Sequence, residues 1–135
     1  MSMGYGASCR LISKDGEWFA YEYTSYNMDL ESYKEARKNY DGIILINKDF
    51  FPQPTIIKKR KRKPSGKKEW IEIKKYPEVN CWEFYKMGKI IIENSSYCWN
   101  LTESGVDAFA FRLLFSLSIE YQTSGKIPKK FGIFS

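Results

Sequence analysis

Hydrophobic and polar positions alternate loosely through residues 7–13 and 17–25, the second run rich in Tyr, Phe and Trp, with Lys14, Asp15 and Gly16 between them. An Asp-Gly step between two strand-like runs predicts a β-hairpin. The period changes after Asp29, where Leu30, Tyr33, Ala36 or Arg37, and Tyr40 recur at helical spacing. Asp29 is a candidate cap and Asp41-Gly42 a candidate stop. This apolar stripe is thin, so the helix is expected on the surface of a sheet. Residues 43–46 form a short apolar run, read as a buried strand. Phe51-Pro52-Gln53-Pro54 breaks it, because neither proline can donate a ladder hydrogen bond.

The clearest supersecondary unit follows, with arms at residues 55–63 and 67–76 around a Pro64-Ser65-Gly66 turn. In the second arm Ile71 and Ile73 share one face while Trp70, Glu72 and Lys74 take the other, the period of two that marks a half-buried strand. Asn80 with Glu83 three residues on has the form of a capping box for a short helix ending at Gly88. Residues 89–93 read as another strand, and residues 94–101 as a loop in which Tyr97, Cys98 and Trp99 are expected to tuck under the core. Ser104 with Asp107 is read as the cap of the strongest helix. Val106, Phe109, Ala110, Leu113, Leu117 and Tyr121 fall on one face, and Phe111, Leu114 and Phe115 widen it. Ser124-Gly125 ends the helix and Pro128 prevents its resumption. The expected fold is α+β: a mostly antiparallel twisted sheet with a long basic hairpin, packed against a C-terminal core helix and one or two shorter helices.

Composition adds limits to this picture. At 135 residues and 43% hydrophobic the chain is one domain long, residues 1–135, and rich enough in apolar side chains to close a core unaided. It holds no histidine. Ser-His and Cys-His nucleophiles and histidine general bases are thereby excluded. Cys9, Cys81 and Cys98 are odd in number and form no C-x-x-C pair, which argues for reduced thiols and against a zinc site. The sequence has no long apolar run, and the first residues lack the charge and apolar pattern of a secretory signal. No membrane association and a cytoplasmic location are therefore expected. The motifs at Asn94 and Asn100 that match glycosylation acceptors carry no weight in that setting.

Charge is where the chain departs from the ordinary. The formal net charge is +6, yet residues 58–68, KKRKRKPSGKK, carry 8 of the 22 basic residues and no acid. The rest holds 14 basic against 16 acidic side chains. A mildly acidic body thus bears one basic hairpin tip. Its repulsion is either tolerated in solvent, where charge protects strand edges from aggregation, or relieved by an anionic partner. The candidate binding residues are Lys58, Lys59, Arg60, Lys61, Arg62, Lys63, Lys67 and Lys68, with Trp70 and Tyr76 near the base as stacking platforms. KKRKRK also has the form of a nuclear-localisation signal.

Other candidates for chemistry are weaker. Glu72-Ile73-Lys74 on a strand, with Asp49 upstream, matches the acid plus Glu-x-Lys layout of Mg²⁺-dependent nucleases, a pattern that any lysine-rich amphipathic strand produces often. Gly4-Tyr5-Gly6 follows no strand and opens no helix, so it is not a phosphate loop. Cys98 would need a neighbouring cation or helix N-terminus to become a nucleophile, and a buried thiol is the simpler reading. No metal, cofactor or catalytic residue is assigned.

Taken together, Gly4-Tyr5-Gly6-Ala7-Ser8-Cys9-Arg10, Tyr21-Glu22-Tyr23-Thr24-Ser25-Tyr26, Asp41-Gly42-Ile43-Ile44, Pro64-Ser65-Gly66-Lys67-Lys68 and the segment from Glu93-Asn94 to Cys98-Trp99 resemble small bacterial single-domain proteins of the toxin-immunity type. That resemblance implies a non-enzymatic protein that neutralises a partner toxin by stoichiometric protein–protein binding, with a partner bearing an acidic face. The alternative is nucleic-acid binding through the basic hairpin, and a remote third is a Mg²⁺-dependent nuclease.

Overall fold

The computed structural model describes residues 4–30 and 33–134. Its first half contains β1 (Tyr5–Asp15), β2 (Trp18–Asn27), α1 (Tyr33–Ala36), β3 (Gly42–Asn47) and a 3-10 turn (Lys48–Phe50). Then come β4 (Thr55–Arg62), β5 (Lys68–Lys75), α2 (Cys81–Lys86), β6 (Ile90–Glu93), α3 (Ala108–Ser124) and β7 (Lys130–Phe134). The fold is α+β. Five strands form one antiparallel sheet in the order β6-β3-β2-β1-β7, and β4 pairs only with β5.

The expected first hairpin is present and longer than its pattern suggested. Asp15 pairs with Trp18, leaving Gly16-Glu17 as a two-residue turn with Gly16 at φ 56°, a conformation that favours glycine. Burial alternates along both strands. Tyr5, Ala7, Cys9 and Leu11 of β1, and Phe19, Tyr21, Tyr23 and Ser25 of β2, face the core side. Across that side lies α3, whose Phe109, Ala110, Leu113, Leu114, Leu117 and Tyr121 join Ile44, Ile46, Ile90, Phe50 and Phe51 in one apolar cluster. Phe51 touches Phe19, Phe50 and Tyr121 through edge-on ring contacts that tie the 3-10 turn to both layers.

The opposite sheet face is partly covered by the segment between β2 and β3. Thr24 Oγ1 donates to the Ala36 carbonyl at 2.6 Å, and the Tyr40 and Ser8 hydroxyls share a 2.8 Å hydrogen bond. Arg10 lies 3.9 Å from the Tyr40 ring centre and pairs with Glu22 at 2.6 Å.

Several elements differ from expectation. The helix expected from Asp29 to Tyr40 is a single turn, Tyr33–Ala36, and Asp29 donates its N–H to the Asn27 side chain instead of capping it; Glu31 and Ser32 lie outside the described residues. On α3 it is Asp107 itself, not Ser104, that caps the first turn, because its Oδ1 accepts the Phe109 N–H at 2.9 Å while Ser104 bonds Thr102. Phe115 is 60% exposed and Phe111 half-buried, so the helix is apolar beyond the face it buries. The strand β7 went unread. Among the expectations that hold, Asn80 Oδ1 accepts the Glu83 N–H at 3.1 Å, and Gly125 ends α3 at φ 74°.

Asp107 is fully buried and does more than cap. Its Oδ2 accepts hydrogen bonds from the Ser25 hydroxyl at 2.5 Å and the Tyr23 hydroxyl at 3.1 Å, while the Tyr23 hydroxyl accepts from the Ser95 N–H at 3.1 Å. The network joins β2, the loop before α3 and the start of α3. Burial, then the Asp107 charge, holds the Tyr23 phenol above the ordinary range. Burial raises Tyr21 likewise and pushes the Cys9 thiol up to about 12.

These shifts have a sign. Groups whose folded-state pKa is raised keep their protons longer in the folded chain than in the unfolded one, so stability is intact below the unfolded values and falls as pH rises through them. Thermal melts followed by circular dichroism are expected to be flat from pH 7 to about 8.5. Above that, stability falls by ~1.4 kcal/mol per pH unit for each such group as its unfolded pKa is passed. A melting temperature unchanged up to about pH 10.5 would contradict the raised values.

No helix among the described residues is long and apolar enough to cross a membrane.

Candidate functional site

The β4–β5 hairpin stands apart from the five-stranded sheet. Its eight-residue strands make a two-stranded ribbon about 27 Å long at ~3.4 Å per residue. Lys63 closes it, donating its N–H to the Lys67 carbonyl at 2.8 Å and accepting at its own carbonyl from the Gly66 N–H, with Gly66 at φ 84°. Only Ile57, Ile71 and Ile73 are half-buried; every other residue of both strands is exposed.

Strand pairing sorts the ribbon's residues by face. Lys58 lies opposite Glu72, Arg60 opposite Trp70, Arg62 opposite Lys68 and Ile56 opposite Lys74. Residues directly opposite share a face, as do residues two apart along a strand. One face therefore carries Lys58, Arg60, Arg62, Lys68 and Lys74 against the single carboxylate of Glu72, with Trp70 among them. The other carries Ile57, Ile71 and Ile73 with Lys59, Lys61, Lys75 and Glu69. Trp70 is 62% exposed, and the Arg60 guanidinium carbon lies 5.2 Å from its ring centre. An exposed indole held by an arginine is a ready stacking platform.

The residues singled out in the sequence thus separate. Lys58, Arg60, Arg62, Lys68 and Trp70 are brought together. Lys59 and Lys61 are on the isoleucine face. Lys63 and Lys67 belong to the turn, where Lys63 pairs with Glu69 at 3.0 Å. Tyr76 lies beyond β5, half-buried, with its ring 5.5 Å from that of Tyr121; it anchors the ribbon's base to the domain. Lys74 completes the cationic face, although it is not among the candidate binding residues read from the sequence. Alternation along the second arm already put it beside Trp70.

The carboxylates of the nuclease layout have other partners nearby. Asp49 accepts a 2.8 Å hydrogen bond from Lys89 and Glu72 faces Lys58 across the ribbon. Among the described residues no group of three or more His, Cys, Asp or Glu side chains could hold a metal ion. All three thiols are raised, chiefly by burial, with Cys81 up to about 11 and Cys98 pushed further by the charges of Asp107 and Asp41. These shifts favour the thiol over the nucleophilic thiolate. Trp99 stacks near Tyr5 and Phe109 at 4.6 and 5.2 Å, as the expected core role requires.

No protein family, curated protein or solved structure was found to match the chain.

A second surface escaped the sequence reading. Between α2 and α3 a groove is lined by Val79, Cys81, Trp82, Thr102 and Phe111 among others, with Trp82 44% exposed and T-stacked on Phe111 at 5.7 Å. Helical periodicity placed Phe111 on the core stripe and gave Trp82 no role, because a helix apolar on several sides gives no sign of which side is left open.

Proposed function

We propose that the chain is a non-enzymatic nucleic-acid-binding protein that engages the phosphate backbone with the cationic face of its ribbon. The observation that carries this reading is the segregation of Lys58, Arg60, Arg62, Lys68 and Lys74 onto one face with Trp70. Along β4 the cations recur every second residue, ~6.8 Å apart, about twice the 3.4 Å axial spacing of phosphates on a strand. A regular row of charge suits a regular polyanion. A two-stranded ribbon also has the width to enter the major groove of B-form DNA, and Trp70 offers a stacking face to an unpaired base.

Fluorescence anisotropy with labelled duplex and single-stranded oligonucleotides tests the proposal. With five phosphates neutralised, log affinity against log salt is expected to fall with a slope of about −4. Absent binding at about 50 mM salt, or a slope near zero, would remove this reading.

A stoichiometric inhibitor of the toxin-immunity type is the second reading, supported by Trp82, 44% exposed and packed on Tyr85 and Phe111. Tryptophan at the rim of an apolar groove is the residue type on which protein interfaces concentrate their affinity. Affinity capture from the source cell that recovers no one-to-one protein partner would count against it.

A further inference from the structure

We infer that the free edge of β7 and the outward face of α3 form one self-association surface, whose occupant is a second copy of this chain related by a two-fold axis. Among the described residues β7 ends the sheet, paired with β1 on one side, and its other edge has no ladder partner. Natural edges are protected by charge, proline or bulges. Here Lys130 charges the first position, while residues 131–134 carry no charge and Phe134 is 74% exposed. An open groove runs between it and α3, where Phe115 is 60% and Ile119 50% exposed.

The sequence of this surface is complementary to itself when reversed, which an isologous contact demands. Antiparallel apposition of two α3 helices about Phe115 and Ser116 brings Phe111 against Ile119 of the second copy and Phe115 against its counterpart. Arg112 then meets Glu120, twice by symmetry, and both are exposed. Antiparallel pairing of β7 about Gly132 sets Lys130 against Phe134 and Phe131 against Ile133, so the lysines meet rings and not each other. The two centres are neighbours, because Phe115 and Ser116 line the same groove as Ile133, the residue after Gly132. One axis therefore serves strand and helix together, extending the sheet to ten strands. This contact is independent of what the ribbon binds, and it shares Phe111 and Phe115 with the Trp82 groove, so the two surfaces overlap.

Sedimentation velocity of the full chain from about 1 to 200 µM is expected to show a reversible monomer–dimer equilibrium in the micromolar range, as suits an interface of modest size. Phe115→Arg should weaken it by at least ~20-fold, since it buries two like charges on the axis. Arg112→Glu and Glu120→Arg should each weaken it about 5- to 10-fold, and the double reversal should return to within about 2-fold of the original. All three positions are exposed, and circular dichroism confirms that each variant is folded. A chain monomeric at 200 µM, or a double reversal as weak as the single ones, overturns the inference.

Discussion

Replacing Asp107 by alanine is expected to lower the unfolding free energy by about 3 kcal/mol, read from urea denaturation curves with an unchanged slope. Three losses combine. The first turn of α3 loses its cap, worth ~1 kcal/mol, and the hydroxyls of Tyr23 and Ser25 lose the acceptor they share. Each buried hydroxyl left without a partner costs ~1 kcal/mol or more. Three hydrogen-bond donors and the positive end of a seventeen-residue helix face this carboxylate. Asparagine keeps the cap oxygen and offers an amide to two hydroxyls that can turn to accept, so Asp107→Asn should lose less than half as much. A loss below about 1 kcal/mol for the alanine variant would show the network to be incidental.

The second large effect concerns the ribbon and separates the arrangement of charge from its amount. Changing Lys58, Arg60 and Arg62 together to glutamine should weaken binding to nucleic acid by about 10²- to 10³-fold at 0.1 M salt and flatten the salt slope by nearly three units. Changing Lys59, Lys61 and Lys75, the same number of charges on the isoleucine face, should weaken it less than about tenfold, because those groups contribute only at longer range. Equal losses from both triples would mean that the ribbon acts as a diffuse cationic tail. Trp70→Ala adds a discriminator: a loss of ~1–3 kcal/mol for single strands and little for duplex would identify stacking on unpaired bases.

The alternation of residues 67–76 was legible because a strand with one half-buried face repeats every two residues, and Ile71 and Ile73 declare that period even among lysines. The Asn80 box and the Gly125 stop were legible because caps are local. Asp107 was harder. Ser104 offers the same spacing signal, and only the tertiary fold, which brings Tyr23 and Ser25 of β2 to the Asp107 carboxylate, decides between them. The strand β7 is short and follows a proline, and it is a strand because β1 supplies its ladder. The exposure of Phe115 and Trp82 had no local signature either. Which side of an apolar helix remains open depends on where the neighbouring layer stops. As for the site, sequence located the cations but listed them together, and pairing register divided them into two faces.

Thr55 and Lys75 face each other at the foot of the ribbon, with Pro54 just before and Pro77 just after. The chain therefore leaves the domain and returns to it at neighbouring points, as a cassette plugged into a socket. Closing that gap with a few residues removes no strand from the main sheet and no side chain from its apolar cluster. The ribbon and the stability of the body are thus separable: the ribbon can be lengthened, recharged or exchanged while the sheet and α3 continue to fold as before.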